Sequence, residues 1–417
     1  MRKLRAGTWV ALLGLSLILT ACGGGGGGSS ESGSGSGATS ETAKAPIKIG
    51  ISLPLTGPFT DPGVAAKQGY ETWETIINQK GGLLGRPVQL VILDDASNEN
   101  TVVADYNKLI TQDKVDLVLG TFSSKLNYPA SAVAEKNGYL YIEPAGGAPQ
   151  IFERGFTHLF FAQQATAPHQ ADLFAKWIGS LPEDQRPKTA AYVTQDDPFT
   201  KPVIEGVKQQ LEALGVKTVY GLEVYPPDTT NFTTIANALK AADADVLVHG
   251  AVFEDGVGLV RAVQQVGYNP KAFFQTSAPS HPEQYPQGIG AAATEGIFFA
   301  MSYSPAAKYP GNDEFLQVFR SKFGQDPAED AADAFAAAQV LQAAAEAVGS
   351  LDQDKMADWL HHNTVQTILG PLSWDEAGRP QQAFLLAQWQ GGAIQIVLPQ
   401  DVATTDHIVY PKPAWPK

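Results

Sequence analysis

The chain has one cysteine, Cys22, among 417 residues. A lone thiol excludes a disulfide framework and any metal site built on several cysteines. Positive charge is in deficit: 29 Lys and Arg against 43 Asp and Glu leave a net charge of −14, which argues against nucleic acid as a partner. Long hydrophobic runs are also missing. The uncharged stretch Ala6 to Ala21 is short of the ~20 apolar residues a membrane span needs. The catalytic patterns G-x-S-x-G, H-E-x-x-H and the P-loop are absent, and Ser123-Ser124-Lys125 lacks Ser-x-x-Lys spacing. Asp94 and Asp95 are adjacent acids that directly follow a strand, and they read as scaffold rather than a hydrolytic pair. His361 and His362, neighbours on a helix, face about 100° apart, a poor arrangement for one metal ion. The expectation is a non-enzyme without metal or cofactor.

What is present begins at the N-terminus. Arg2, Lys3 and Arg5 precede an apolar core and small residues, the layout of an export signal. Leu19-Thr20-Ala21-Cys22 resembles a bacterial lipobox. That resemblance implies cleavage before Cys22 and acylation of its thiol, with residues 1–21 as signal peptide. Asn231, in a glycosylation-type "NFT", is then not expected to carry a glycan. One acyl chain binds membranes marginally and two or more anchor stably. Residues 22–45 are rich in Gly and Ser, a flexible coil spanning about 5–6 Å × √n. They read as a tether.

From residue 46 onward the composition is globular, and the length suits two lobes. "IKIGISL", "VQLVILDD", "VDLVLG" and "YLYIEP" read as strands, separated by helices over 63–80, over 99–112 and after a serine cap at "SSKLNYPASAVAEKNG". The alternation resumes at "KTAAYVT", "VKTVYGLEVY", "ADVLVHG", "KAFFQTS" and "GIFFAM". Strand–helix alternation means parallel sheets with helices on both faces, and two such runs mean an α/β protein of two Rossmann-like lobes. The alanine-rich "DAADAFAAAQVLQAAAEAVG" reads as a structural helix lying close against a sheet, and "WDEAGRP" as a turn between strands.

"IKIGISLPLTGP", "NQKGGLLGRPVQLVILDDAS", "VDLVLGTFSS", "YIEPAGGAP" and "ILGPLSWDEAGRP", in this order, resemble the leucine/isoleucine/valine-type periplasmic binding proteins, the solute receptors of ABC importers. The resemblance implies a type I periplasmic binding fold joined by three crossovers, with a small-molecule ligand in the cleft and hinge closure around it. It places lobe 1 at 46–166 with 302–383, lobe 2 at 167–301 with 384–400, and a C-terminal tail at 401–417. The partners implied are an ABC permease and ATPase complex, with the membrane reached through the lipid anchor and the chain a monomer. A sensing lipoprotein of the same fold, signalling to a membrane partner, is the alternative.

Ligands of open parallel sheets sit beyond the carboxyl ends of the strands. There Ser124 matches the family serine that bonds a ligand carboxylate, at a helix start that favours anions, with Ser123 beside it. Ala145 and Gly147 match backbone contacts to the ligand's polar head. Phe199 falls where the family often has a tyrosine, Phe253 sits at another cleft loop, and Phe59 lines the apolar end. One departure stands out. Branched-chain amino acid receptors commonly place a carboxylate where this chain has Ala278. A buried ammonium without a partner is expensive. An amino-acid ligand therefore requires Glu254, Asp255 or Asp196 to reach in, and an amine-free, aromatic carboxylate becomes the competing expectation.

Overall fold

The computed structural model describes residues 45–416. The signal peptide, Cys22 and nearly all of the tether lie outside the described residues. Among those residues, no helix is long and apolar enough to cross a membrane.

The first lobe runs β1 (Ile47–Leu53), α1 (Thr60–Gln79), β2 (Val88–Asp94), α2 (Glu99–Thr111), β3 (Leu117–Val118), α3 (Ser124–Lys136), β4 (Tyr141–Glu143) and β5 (Leu159–Phe161). The second runs α4 (Asp172–Ser180), β6 (Thr189–Gln195), α5 (Thr200–Ala213), β7 (Lys217–Tyr225), α6 (Thr233–Ala242), β8 (Val246–Gly250), α7 (Glu254–Val266), β9 (Ala272–Gln275), α8 (Gln284–Ile289) and β10 (Ile297–Met301). The chain then returns to lobe 1 for α9 (Asn312–Phe323), α10 (Glu329–Val348), α11 (Gln353–His362), β11 (Val365–Thr367) and β12 (Gly370–Leu372). It ends in lobe 2 with β13 (Leu385–Gln390) and β14 (Ala393–Leu398).

β1 is buried on both faces, as expected for the centre of a parallel sheet covered by helices. It pairs β2 and β3 in parallel. The amides of Leu119 and Gly120 extend the ladder to Gly50 and Ile142, 3.1 and 2.9 Å away, linking the β4–β5 pair. β3 is thus far shorter than "VDLVLG" predicts, because its ladder passes to β4 after two residues. Lobe 2 has seven strands in the order β14-β13-β10-β9-β8-β6-β7, parallel from β7 through β10 and antiparallel at β13 and β14. Alternating residues of its strands feed two apolar layers, with Phe273 and Phe299 on one face and Phe274 and Phe298 on the other. The tail crosses this lobe: the Trp415 indole donates to Tyr268 O at 2.6 Å, and Lys412 N to Lys271 O at 2.7 Å.

Three details depart from the sequence pattern. α1 begins at Thr60, not residue 63, since Pro62 sits in the first turn where no amide is needed. Ser123 does not cap α3: its φ is +71° and its hydroxyl is buried without a partner. Asn127 instead fixes the turn into the helix: its Nδ2 donates back to Thr121 O and Ser123 O at 2.9 and 3.1 Å, and its Oδ1 accepts from Thr121 N at 3.1 Å. The alanine-rich helix α10 makes its tightest approach to α1 rather than to a sheet. A methyl group on Gly69 would come within 2.0 Å of Ala331 O, so bare backbone is what lets the two helices touch.

That contact makes a prediction. Gly69→Ala raises helix propensity by ~1 kcal/mol, yet the overlap with Ala331 should leave a net loss of about 1–3 kcal/mol. Urea unfolding measures it, and a stabilised variant would refute the close-packing account.

Candidate functional site

The carboxyl ends of both parallel sheets meet at one cleft. On lobe 1, the loop after β3 and the loop after β4 are joined by a bridge between Phe122 and Ala145 and by Ala148 N, which donates to Ser124 Oγ at 3.1 Å. Ser123, Ser124, Ala145 and Gly147 are therefore brought together. Ser124 is buried, and with its oxygen accepting from Ala148 its own proton remains available to a ligand. Gly147 O accepts from Ala167 N at 2.7 Å, so this loop is tied to the first crossover. Gly146 is dictated by Glu143, whose Oε2 would stand 1.7 Å from an added Cβ. Glu143 is fully buried, neither carboxyl oxygen has a partner, and burial pushes its pKa well up, against a smaller opposing effect of Arg154.

The third lobe-1 loop follows β1. Asp94 Oδ1 accepts from the amides of Leu55, Thr56 and Ala96 at 3.0, 3.2 and 2.9 Å. Burial raises its pKa, but these bonds and the Thr56 hydroxyl outweigh it and the net shift is downward. Asp95 accepts from Ser97 N and Thr121 Oγ1 at 2.8 and 3.1 Å, and burial pushes it up to about 6. Both acids are engaged in shaping loops, as scaffold. Phe59 is held by Ser97, with N···Oγ 3.1 Å, and stacks edge-on against Phe122 at 5.7 Å.

On lobe 2, Asp197 Oδ1 accepts from Phe199 N and Thr200 N at 2.8 and 3.1 Å, which caps α5. Phe199 is half-buried and packs on one face of the sheet. Phe253 packs on the other, its ring 4.8 Å from that of His281. The two phenylalanines thus belong to opposite layers. Ala278 is fully buried, and Asp196 and Glu254 are exposed. Asp255 is buried in a network that sequence reasoning missed. Asp255 Oδ2 accepts from Tyr225 Oη at 2.6 Å and Gln195 Nε2 at 3.1 Å, and its Oδ1 from Val252 N at 3.0 Å. His249, fully buried, lies 2.8 Å from both Tyr225 Oη and Gln275 Nε2, and burial pushes its pKa down to about 3.

The lobes sense each other across the cleft. Asp61 on lobe 1 partly offsets the burial that lowers the pKa of His281, and Lys125 partly offsets the burial that raises that of Asp197. At the base, Gln164 donates to Ser302 O at 2.6 Å and accepts from Gln382 N at 2.8 Å. Ser302 Oγ stands 2.8 Å from Glu329 Oε1 and 2.5 Å from Asp333 Oδ1. Among the described residues no group of three or more His, Cys, Asp or Glu is placed to hold a metal ion. His361 lies against Thr157 O at 3.0 Å and stacks on Phe160, whereas His362 is exposed and turns to Asp358 O.

Two parallel-sheet lobes, three crossovers and a cleft lined by strand ends define a two-lobed solute-binding protein. Residues 46–393 match the family model described as periplasmic binding protein, and the chain belongs to that family. It is 30% identical over 356 residues to the Leu/Ile/Val-binding protein BraC3 of Rhizobium johnstonii, covering 84% of this chain and 94% of that one. Among solved structures it resembles the leucine binding protein LivK of Thermotoga maritima (TM-score 0.74, 21% identity, 84% and 97% covered). It also resembles an R. palustris ABC transporter solute binding protein in complex with benzoate (TM-score 0.73, 20% identity, 88% and 99% covered).

The buried imidazole carries a pH prediction. His249 has a depressed folded-state pKa, so its contribution to stability is present above the unfolded value of about 6.5 and is lost as pH falls toward 3. Between pH 7.5 and 5 it should forfeit about 2 kcal/mol. Urea unfolding at both values should show that loss in the wild type and much less in His249→Gln; equal losses would mean His249 is not held neutral.

Proposed function

We propose that the chain is a membrane-tethered extracytoplasmic receptor of an ABC importer. It takes a small carboxylate-bearing ligand (a branched-chain amino acid, an amide or an aromatic carboxylate) between its lobes and closes on it. The single observation that carries this reading is the convergence of Ser124, Ala145 and Gly147 at the cleft end of one parallel sheet, opposite the loops of a second. Ser124 lies in the first turn of α3, where backbone N–H groups and the helix dipole favour an anion. A ligand bridging both lobes stabilises the closed form by its differential contacts, and the permease and ATPase complex reads that form. The relatives' names support the ligand range, since one is a Leu/Ile/Val-binding protein and one neighbour is solved with benzoate. The lipobox at Leu19–Cys22 supports the anchor, with a tethered monomer as the working unit.

Ser124→Ala should weaken binding of the cognate carboxylate about tenfold, and because it also leaves Ala148 N without its acceptor it should cost about 1–3 kcal/mol of stability while the chain still folds. Calorimetric titration reads this, and unchanged affinity would remove Ser124 from the site. Cys22→Ala should move the protein from the membrane to the soluble fraction on cell fractionation, whereas continued membrane association would refute lipid anchoring.

A further inference from the structure

We infer that lobe 2 commits its buried carboxylate, Asp255, to holding its own cleft loops, so that the half-site it presents suits a carboxylate ligand without an ammonium group. The inference rests on the receptor reading above and narrows its ligand.

The direction of each bond in the network is fixed by the groups themselves. Gln275 Oε1 accepts from Tyr285 Oη at 2.6 Å, and Gln275 Nε2 donates to Gly256 O at 3.1 Å. The amide orientation is thereby set, and its N–H must donate to His249 Nδ1 at 2.8 Å. The imidazole proton then sits on Nε2 and donates to Tyr225 Oη at 2.8 Å. Tyr225 in turn gives its proton to Asp255 Oδ2, the shorter of its two acceptor contacts. Four strand ends (β6 through Gln195, β7 through Tyr225, β8 through His249, β9 through Gln275) are drawn onto one carboxylate. That carboxylate also pins Val252 N, beside Phe253. Asp255 is a positioning residue, already engaged at both oxygens.

Of the other acids near the cleft, all but Glu143 and the half-buried Asp330 are engaged or exposed. Asp197 caps α5 and senses Lys125. Asp61 is exposed. Glu329 and Asp333 share the Ser302 hydroxyl. Asp196 and Glu254 are exposed, and Ala278 offers only a buried methyl. An ammonium desolvated here loses water without gaining a partner. Glu143 is the rival acid, but its carboxyl lies beneath Gly146 and burial favours its neutral form.

The test is calorimetry on the full-length chain in detergent with four probes: benzoate, acetamide, 4-methylpentanoate and leucine, the last two differing by the α-ammonium. At least one of the two amine-free acids should bind about 100-fold or more tighter than leucine. Asp255→Ala should weaken binding of the amine-free acid about tenfold or more through the loosened loops. Asp255→Asn, which keeps one acceptor but turns the other oxygen into a donor facing an N–H or O–H, should lose an intermediate amount. Leucine binding as well as or better than the amine-free acids overturns the inference, and its loss in Glu143→Gln would then identify the pairing acid. Unchanged binding of the amine-free acid in Asp255→Ala also overturns it, since Asp255 would then not be what holds the lobe-2 loops. Binding of acetamide alone overturns the carboxylate class but keeps the receptor reading. No binding by any of the four probes overturns both.

Discussion

The two lobes depend on how three lengths of chain are held where they pass between them, and Gln164 holds all three. Its backbone oxygen takes the amide of Gln382, and its side-chain nitrogen donates to Ser302 O at 2.6 Å and Leu369 O at 3.3 Å. The residue is almost fully buried, where unmade hydrogen bonds cost about 1–3 kcal/mol each. Sliding one crossover past another would break them, so the crossovers bend together. That is the condition for a hinge rather than a loose linker. The neighbouring Gln163 bonds both Pro144 O and Asp333 Oδ2, at 2.7 and 2.6 Å. The loop bearing Ala145 and Gly147 is thus wired to the hinge and to α10. Ser302 has one hydroxyl proton for two carboxyls, and burial pushes the pKa of both Glu329 and Asp333 up.

Closure follows from how the cleft is divided. On the proposed receptor reading, lobe 1 offers the Ser124 hydroxyl and helix-start amides to a ligand anion, and lobe 2 offers loops fixed by the Asp255 network. A ligand that touches one lobe alone binds open and closed forms equally and shifts nothing. One that moves the equilibrium from 1:99 to 99:1 must favour the closed form by about 5.5 kcal/mol. Pre-setting the lobe-2 loops with buried hydrogen bonds lowers the ordering cost charged against that difference.

Much of this was legible in the sequence. The α/β class and the two lobes follow from apolar runs such as "IKIGISL" alternating with helical patterns, because strands buried on both faces leave that mark. The grouping of Ser124 with Ala145 and Gly147 came through the family resemblance. Local pattern could not have given it, since residues 21 apart meet only through the β3–β4 ladder. The Asp255 network was not legible at all. Gln195, Tyr225, His249 and Gln275 each lie at or next to the end of a different strand, and nothing in their spacing marks a common partner. The serine cap failed for a related reason: preference for Ser at a helix start is local, whereas the turn into α3 is set by Asn127 bonds that form only once the loop is folded.

The motif "PAGGAP" shows how packing and binding share one stretch of chain. Its glycines invite a reading as backbone donors for a ligand, but Gly146 is required from beneath, by the Glu143 carboxyl. Gly120 is required from the side by the same residue, whose Cα would lie 2.5 Å from an added Cβ. Glu143 therefore sets the path of both loops that carry the lobe-1 half-site. An ionised carboxylate there would repel a ligand anion held by Ser124 and the α3 amides. Burial pushes the Glu143 pKa well up, which lowers the charge it sets against an anion at the proposed site.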